Sequence, residues 1–489
     1  MRSNPKYDLS SPPPESWLPA RRFALSVVGP IERFMHVEAA SGLVLLFAAA
    51  VALIWANSGF GESYETLWHA PFQIGLGNWV FEQSLHFWIN DFLMAIFFFV
   101  VGLEIKREVV EGALSSIRRA ALPIAAAVGG MVVPAGIFLA FNAGGPAQHA
   151  WGVPMATDIA FAVGVLTLLG KRVPPTLRIL LLALAIIDDI GAILVIALFY
   201  SSGLQPDALV IVGVGILGIL VLTSVGVRPG LLWAVPFIIV WSGMLQLGVH
   251  PTIAGVIVGL MVPVKSWFGR DKFLAVARSA LDEFQQRAAK SDYDERELVE
   301  PLNLLAQARR EALSPAKRIE SVLHPYVAFV IMPLFALANA GVHVAGISME
   351  QAGAMTALIG IVLGLSAGKT LGIVAFSWGA VRLGLSSLPP GVTWRSLFVV
   401  GAAGGIGFTM AIFIAELAFT DPTLLAAGKL AVLIGTGLSA AIALGSGHLF
   451  LSRPGDDDTG VTESDVESSE EYWTGKPDPV REGIRARFT

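Results

Sequence analysis

Residues 182–199 read LALAIIDDIGAILVIALF, sixteen apolar or glycine residues around two adjacent aspartates, Asp188 and Asp189. A helix needs about 20 mainly apolar residues to cross the ~30 Å hydrocarbon core of a bilayer, so the stretch predicts a membrane span. At the centre of such a helix each Asp costs about 2.5 to 3.5 kcal/mol to insert. The pair must therefore face something other than lipid.

The rest of the chain has the same character. Its 489 residues are 54% hydrophobic and only 15% charged, with a mean hydropathy of +0.68, whereas soluble domains carry roughly 25% charged residues. Many apolar runs near 20 residues predict an all-α, polytopic integral membrane protein rather than a barrel. The absence of cysteine excludes disulfides, thiolate metal sites, iron–sulfur clusters and thiol catalysis. The polar, proline-rich start SNPKYDLSSPPPES lacks the basic segment and short apolar core of a cleaved signal peptide. The first apolar segment is expected to stay in the mature protein.

A hydropathy scan predicts about twelve transmembrane helices, near 37–57, 85–104, 120–141, 151–169, 177–200, 207–226, 230–247, 251–264, 324–343, 355–379, 396–419 and 424–451. With a cytoplasmic N-terminus, one side collects Arg21, Arg22, Arg33, Lys106, Arg107, Arg118, Arg119, Lys171, Arg172, Arg178, Arg228, Arg382 and Arg395. The opposite loops carry Glu62, Glu65, Glu82, Asp207, Glu350 and Asp421, with no Lys or Arg. That split predicts a multi-pass protein with both termini cytoplasmic. Residues 1–34 are then a cytoplasmic segment and 35–452 the transmembrane domain. Residues 265–322 form a charged insertion of one or two amphipathic helices, and the acidic, serine-rich 453–489 a disordered tail.

Ionisable residues at membrane depth are functional candidates, because each must face a partner or a water-filled cavity. Asp158, Asp188, Asp189 and Lys369 qualify, and Asp91 lies a turn or two inside the second span. Glu416 and Lys429 stand nearer helix ends, where snorkelling or capping accounts for them. Consecutive helical residues point about 100° apart. Asp188 and Asp189 therefore either point to different neighbours or flank one hydrated crevice. Pro154 in the fourth span, and Gly401, Gly404, Gly405 and Gly407 in the eleventh, predict two interrupted helices beside a cavity, the alternative for the glycines being close helix packing on a small-residue face. If the breaks meet, two half-helix N-termini favour a carboxylate and two C-termini an ammonium. Asp158 and Lys369 suit those positions.

The motifs ATDIAFAVGVL (156–166), LALAIIDDIGAI (182–193), GVHPTIAGVIVG (248–259), HPYVAFVIMPLFALANAGV (324–342), AGKTLGI (367–373) and GGIGFTMAIFIAELAF (404–419) occur in this order. Over about residues 35–450 the chain resembles the NhaA family of sodium/proton antiporters. The resemblance implies the inverted repeats and crossing broken helices described for NhaA itself. It implies that Asp188 and Asp189 carry Na+ and protons, that Thr157 and Asp158 sit at the helix crossing, and that Lys369 pairs with a binding-site aspartate. Asp91 takes a supporting role. Glu104, Arg107, Glu108, Glu320 and His324 form a pH-response cluster at the cytoplasmic mouth, with His250 also linked to pH response. The chain departs from familiar members in having Ser321 where they carry a second histidine, and in its longer insertion.

The resemblance implies an electrogenic, pH-regulated Na+(Li+)/H+ antiporter of the bacterial inner membrane, exporting sodium for sodium and pH homeostasis. The partners are then Na+, Li+, H+ and lipid, with a homodimer allowed; no enzyme activity, cofactor or nucleic acid is expected. Sodium is a hard cation suited to carboxylate, hydroxyl and carbonyl oxygens, and protons contend for the same carboxylates. Four rivals fit less well. A proton-coupled carrier of another substrate lacks a basic cluster for an organic anion and a rich aromatic cage, and an aspartyl protease needs carboxylates converging from separate segments. A channel is told apart by the lack of saturable, pH-gradient-coupled flux, and a structural scaffold leaves the buried charges unexplained.

Overall fold

A computed structural model describes residues 38–451 apart from 78, 202, 204, 228–230, 290–293 and 345–347. The expected N-terminal segment 1–34, the tail 453–489 and Arg228 lie outside the described residues.

Helix forms wherever the apolar runs predict it. The helices before the insertion are α1 (Glu38–Ala56), α2 (Gly61–His69), α3 (Leu85–Val110), α4 (Ile117–Asn142), α5 (Ile159–Leu168), α6 (Pro175–Phe199), α7 (Pro206–Ser224), α8 (Ala234–Leu247) and α9 (Thr252–Met261). A 3-10 segment, Gln148–Met155, precedes α5. Then follow α10 (Arg270–Ala288), α11 (Glu295–Ala312), α12 (Pro315–Asn339), α13 (Ala354–Arg382), α14 (Trp394–Gly404), α15 (Phe408–Ala418) and α16 (Pro422–Phe450).

Seven of these helices are individually long and apolar enough to cross a membrane, and bent pairs raise the number to ten. The remaining apolar helices, α8 and α9, have 14 and 10 residues. At 1.5 Å per residue they reach roughly 21 and 15 Å, short of the hydrocarbon thickness. The expected seventh and eighth spans are thus helices that do not reach across alone. Exposed Phe47, Ile54, Leu198, Leu217 and Val235 give the bundle an apolar outer surface, as contact with lipid requires.

Two helix pairs owe their closeness to glycine. A Cβ on Gly129 of α4 would lie 2.2 Å from the carbonyl oxygen of Gly372 on α13, and one on Gly255 of α9 would lie 2.0 Å from that of Ala95 on α3. Any side chain there would push the backbones apart.

Three features add to or depart from the sequence expectation. An antiparallel hairpin, β1 (Pro71–Leu76) with β2 (Trp79–Ser84), sets Phe72 opposite Gln83 and Ile74 opposite Phe81, so the fold is not purely helical. The insertion is a pair of helices, α10 against α11, and its last residues, 315–322, already belong to α12. Finally, π-helical turns interrupt α3 at Trp88–Leu93, α12 at Val327–Ile331 and α13 at Gly364–Gly368. The first carries Asp91 and the third ends beside Lys369, in keeping with the tendency of π-turns to mark functional positions.

Candidate functional site

The site lies where two chain breaks meet. The 3-10 segment and α5 bend by 42° across residues 156–158, and α14 and α15 by 47° across 405–407. The breaks are joined directly: the Asp158 N–H donates to the carbonyl of Ile406 at 2.7 Å, and the Thr157 hydroxyl lies 2.8 Å from the carbonyl of Gly404, the last residue of α14.

Asp158 serves both helix starts. Its carboxylate accepts from the N–H of Phe161 in α5 at 3.0 Å, from the N–H of Thr409 in α15 at 3.2 Å, and from the Thr409 hydroxyl. Two half-helix N-termini, each carrying roughly half a positive charge, thus share one carboxylate. Lys369 stands differently from the sequence expectation. It is fully buried, reaches the Asp188 carboxylate at 2.5 Å and also donates to the Thr157 hydroxyl. Its link to the C-terminal carbonyl of α14 runs through Thr157 rather than directly. That hydroxyl lies 2.7 Å from Asp188 and has one proton, so it serves Asp188 or Gly404 at any moment.

Adjacency in the chain separates the two aspartates in space. Asp188 is enclosed with Lys369, and its Oδ1 has no hydrogen-bond partner among the described residues. Asp189 instead lines a cavity of about 440 Å³ together with Thr157 and Asp158. Its carboxylate has no hydrogen bond or ion pair among the described residues. The crevice flanked by both aspartates is not what forms; each points to a different neighbour.

The cavity continues to Glu104, Arg107, Arg178, Glu320 and His324. Arg107 meets Glu320 at 2.5 Å. Glu108 stands apart, accepting from the N–H of Ala113 at 2.6 Å just beyond the end of α3. Ser321 turns back on its own helix, donating to the carbonyl of Arg318 at 2.8 Å. Asp91 and His250 are away from the cavity lining. They pair with each other at 3.5 Å, and His250 meets the hydroxyl of Thr252 at 2.8 Å and the ring of Phe413 edge-on. The structure therefore divides the sequence-predicted residues into Thr157 and Asp158 at the helix crossing, the enclosed pair Asp188–Lys369, the cavity-facing Asp189, a cluster of Glu104, Arg107, Glu320 and His324, Glu108 apart from it, and this separate pair.

Sequence reasoning missed two members. Thr409 completes the Asp158 shell; its position in GFTM, directly after the glycine-rich break, was the available signal. Arg178, which the sequence marks only as an orientation charge, lines the cavity, and its Nε makes no hydrogen bond among the described residues.

With this geometry in place, comparison with known proteins is decisive. The family model described as Na+/H+ antiporter 1 matches residues 32–446. The chain belongs to this family. Na(+)/H(+) antiporter NhaA 2 of Sorangium cellulosum (strain So ce56) is 56% identical over 465 residues, spanning 95% of this chain and 99% of the relative. Na(+)/H(+) antiporter NhaA of Janthinobacterium sp. (strain Marseille) is 51% identical over 441 residues, 90% of this chain and 97% of the relative. Membership of the Na+/H+ antiporter family agrees with the resemblance carried by the six motifs. It also gives the apolar helices their setting, that of a multi-pass membrane protein.

Proposed function

We propose that the chain exports Na+ in exchange for protons, with Asp189 as the group for which the two ions contend. The observation that carries this is the Asp189 carboxylate, open to the cavity and unpaired beside a neutralised Asp188–Lys369 pair. Na+ entering from the mouth meets the oxygens of Asp189, Thr157 and Asp158, a donor set suited to a hard cation. A cation drawn onto both Asp188 and Asp189 displaces Lys369, which can then release its proton. Protons leaving two groups for one cation make the exchange electrogenic. Li+ fits the same oxygens.

The mouth is cytoplasmic in this reading, because Arg107 and Arg178 lie at the basic ends of α3 and α6. Both termini then lie on the cytoplasmic side of the bacterial inner membrane. The twelve stretches form inverted repeats whose broken members cross at Asp158, the arrangement described for NhaA itself. Glu104, Arg107, Glu320 and His324, with Glu108 behind them and His250 with Asp91 across the bundle, make transport respond to pH. The test is proton release from acid-loaded everted vesicles on addition of Na+, Li+ or K+ between pH 6 and 9. Na+ and Li+ are expected to collapse the pH gradient and Asp189→Asn to abolish the response; a gradient indifferent to every cation refutes the proposal.

A further inference from the structure

The end of the molecule away from the cavity holds a second, half-buried ion pair, for which the exchange reaction has no task. Glu416, near the end of α15, pairs with Lys429, two turns into α16, and their side chains are only 15% and 12% exposed. His86, at the start of α3, places Nε2 3.8 Å from the same carboxylate. It also meets Asn339 Oδ1 at 2.9 Å. Asn339 and Asn90 in turn exchange hydrogen bonds of 2.8 and 3.1 Å. Snorkelling or capping does not describe this arrangement, since the charged heads of Glu416 and Lys429 point at each other inside the bundle.

The cluster stands in line with the central site. On α15, Met410 lines the cavity, Phe413 packs against Phe98 and Phe335 with centroids 5.6 and 6.0 Å apart, and Glu416 follows. Steps of three residues keep all three on one side of the helix. The order repeats on α12, where Met332 lines the cavity, Phe335 joins the ring plug, and Asn339 holds His86. Along α3, His86 and Arg107 are ~32 Å apart at 1.5 Å per residue. A cytoplasmic mouth therefore puts Glu416 toward the outer end of the bundle, beyond the buried rings of Phe98, Phe335 and Phe413.

We propose that Glu416 is an outer way-station for the transported cation and that Lys429 is its latch. While the route is shut the ammonium occupies the carboxylate; when it opens, Na+ passing from Asp189 takes the place of the ammonium. Asn90 and Asn339 are linked to Glu416 through His86, and their amide oxygens, which now accept hydrogen bonds within the cluster, are further oxygen donors of the kind a hard cation takes. The proposal rests on the antiporter reading with its mouth inside.

The test compares the Na+ dependence of exchange at the two faces, using everted vesicles for the cytoplasmic face and right-side-out vesicles for the outer one. Losing a charged ligand in Glu416→Gln is expected to raise the outer KM for Na+ about ten-fold. Lys429→Gln, which frees the carboxylate, lowers it, and neither variant moves the cytoplasmic KM. A purely structural ion pair would shift both faces alike and in the same direction for both variants. That result, or no shift in a protein that still exchanges, overturns the way-station. If the neutral variants do not assemble, Glu416→Asp and Lys429→Arg keep both charges and carry the same test. A one-sided change supports the proposal, and an unsided or absent one overturns it. An unmutated chain that exchanges no Na+ for protons is a different result and removes the antiporter reading as well.

Discussion

Lys369 and Asp188 are both fully buried and bonded to each other, so removing either leaves the other charge in the interior without its partner. Breaking a buried pair in this way typically costs about 3 to 5 kcal/mol, whereas replacing both members with apolar residues is often neutral or better. Lys369→Met alone should therefore lower the melting temperature of the purified protein, and Lys369→Met with Asp188→Leu should recover most of the loss. The double variant should still fail to exchange ions. Recovery of transport with stability would mean that the pair is only a structural lock. Much of this site is legible in the sequence, because a charge at membrane depth needs a reason and the chain has few of them. The partition between Asp188 and Asp189 is not legible. It depends on where Lys369 lies, and Lys369 is 181 positions away from Asp188. Thr409 is legible only from its place after the glycine-rich break, since a threonine carries no insertion penalty that would draw attention to it.

Among the elements, the insertion is the most separable. Its two helices pack on each other, and its base closes where the Phe268 N–H meets the carbonyl of Glu311 at 3.0 Å. A short Gly/Ser linker replacing residues 269–310 should therefore fold and exchange with an unchanged KM for Na+, as measured in everted vesicles. A marked rise in KM would show that α10 and α11 act on the mouth through α12. Hydropathy located the apolar helices because a 19-residue average responds to composition. The same average erased the hairpin at residues 71–84, whose alternation FQIGLGNWVFEQ has a period of two. It also could not tell a full crossing from α8 and α9, which are apolar yet too short. The π-turns left no trace in composition, since one extra residue per turn changes direction and not hydropathy.

At the scale of the whole molecule, two broken helices, one enclosed ion pair and one cavity make a single device. Asp158 fixes the helix starts, Lys369 neutralises Asp188, and Asp189 is left to the cavity. Contention between Na+ and protons at Asp189 is the central claim, and ion binding to the purified protein tests it without a membrane. Na+ titration in weakly buffered solution is expected to release protons, with an affinity for Na+ that weakens as the pH falls; Asp189→Asn should abolish both the release and the pH dependence. Sodium binding of equal affinity at every pH, with no proton released, would contradict it.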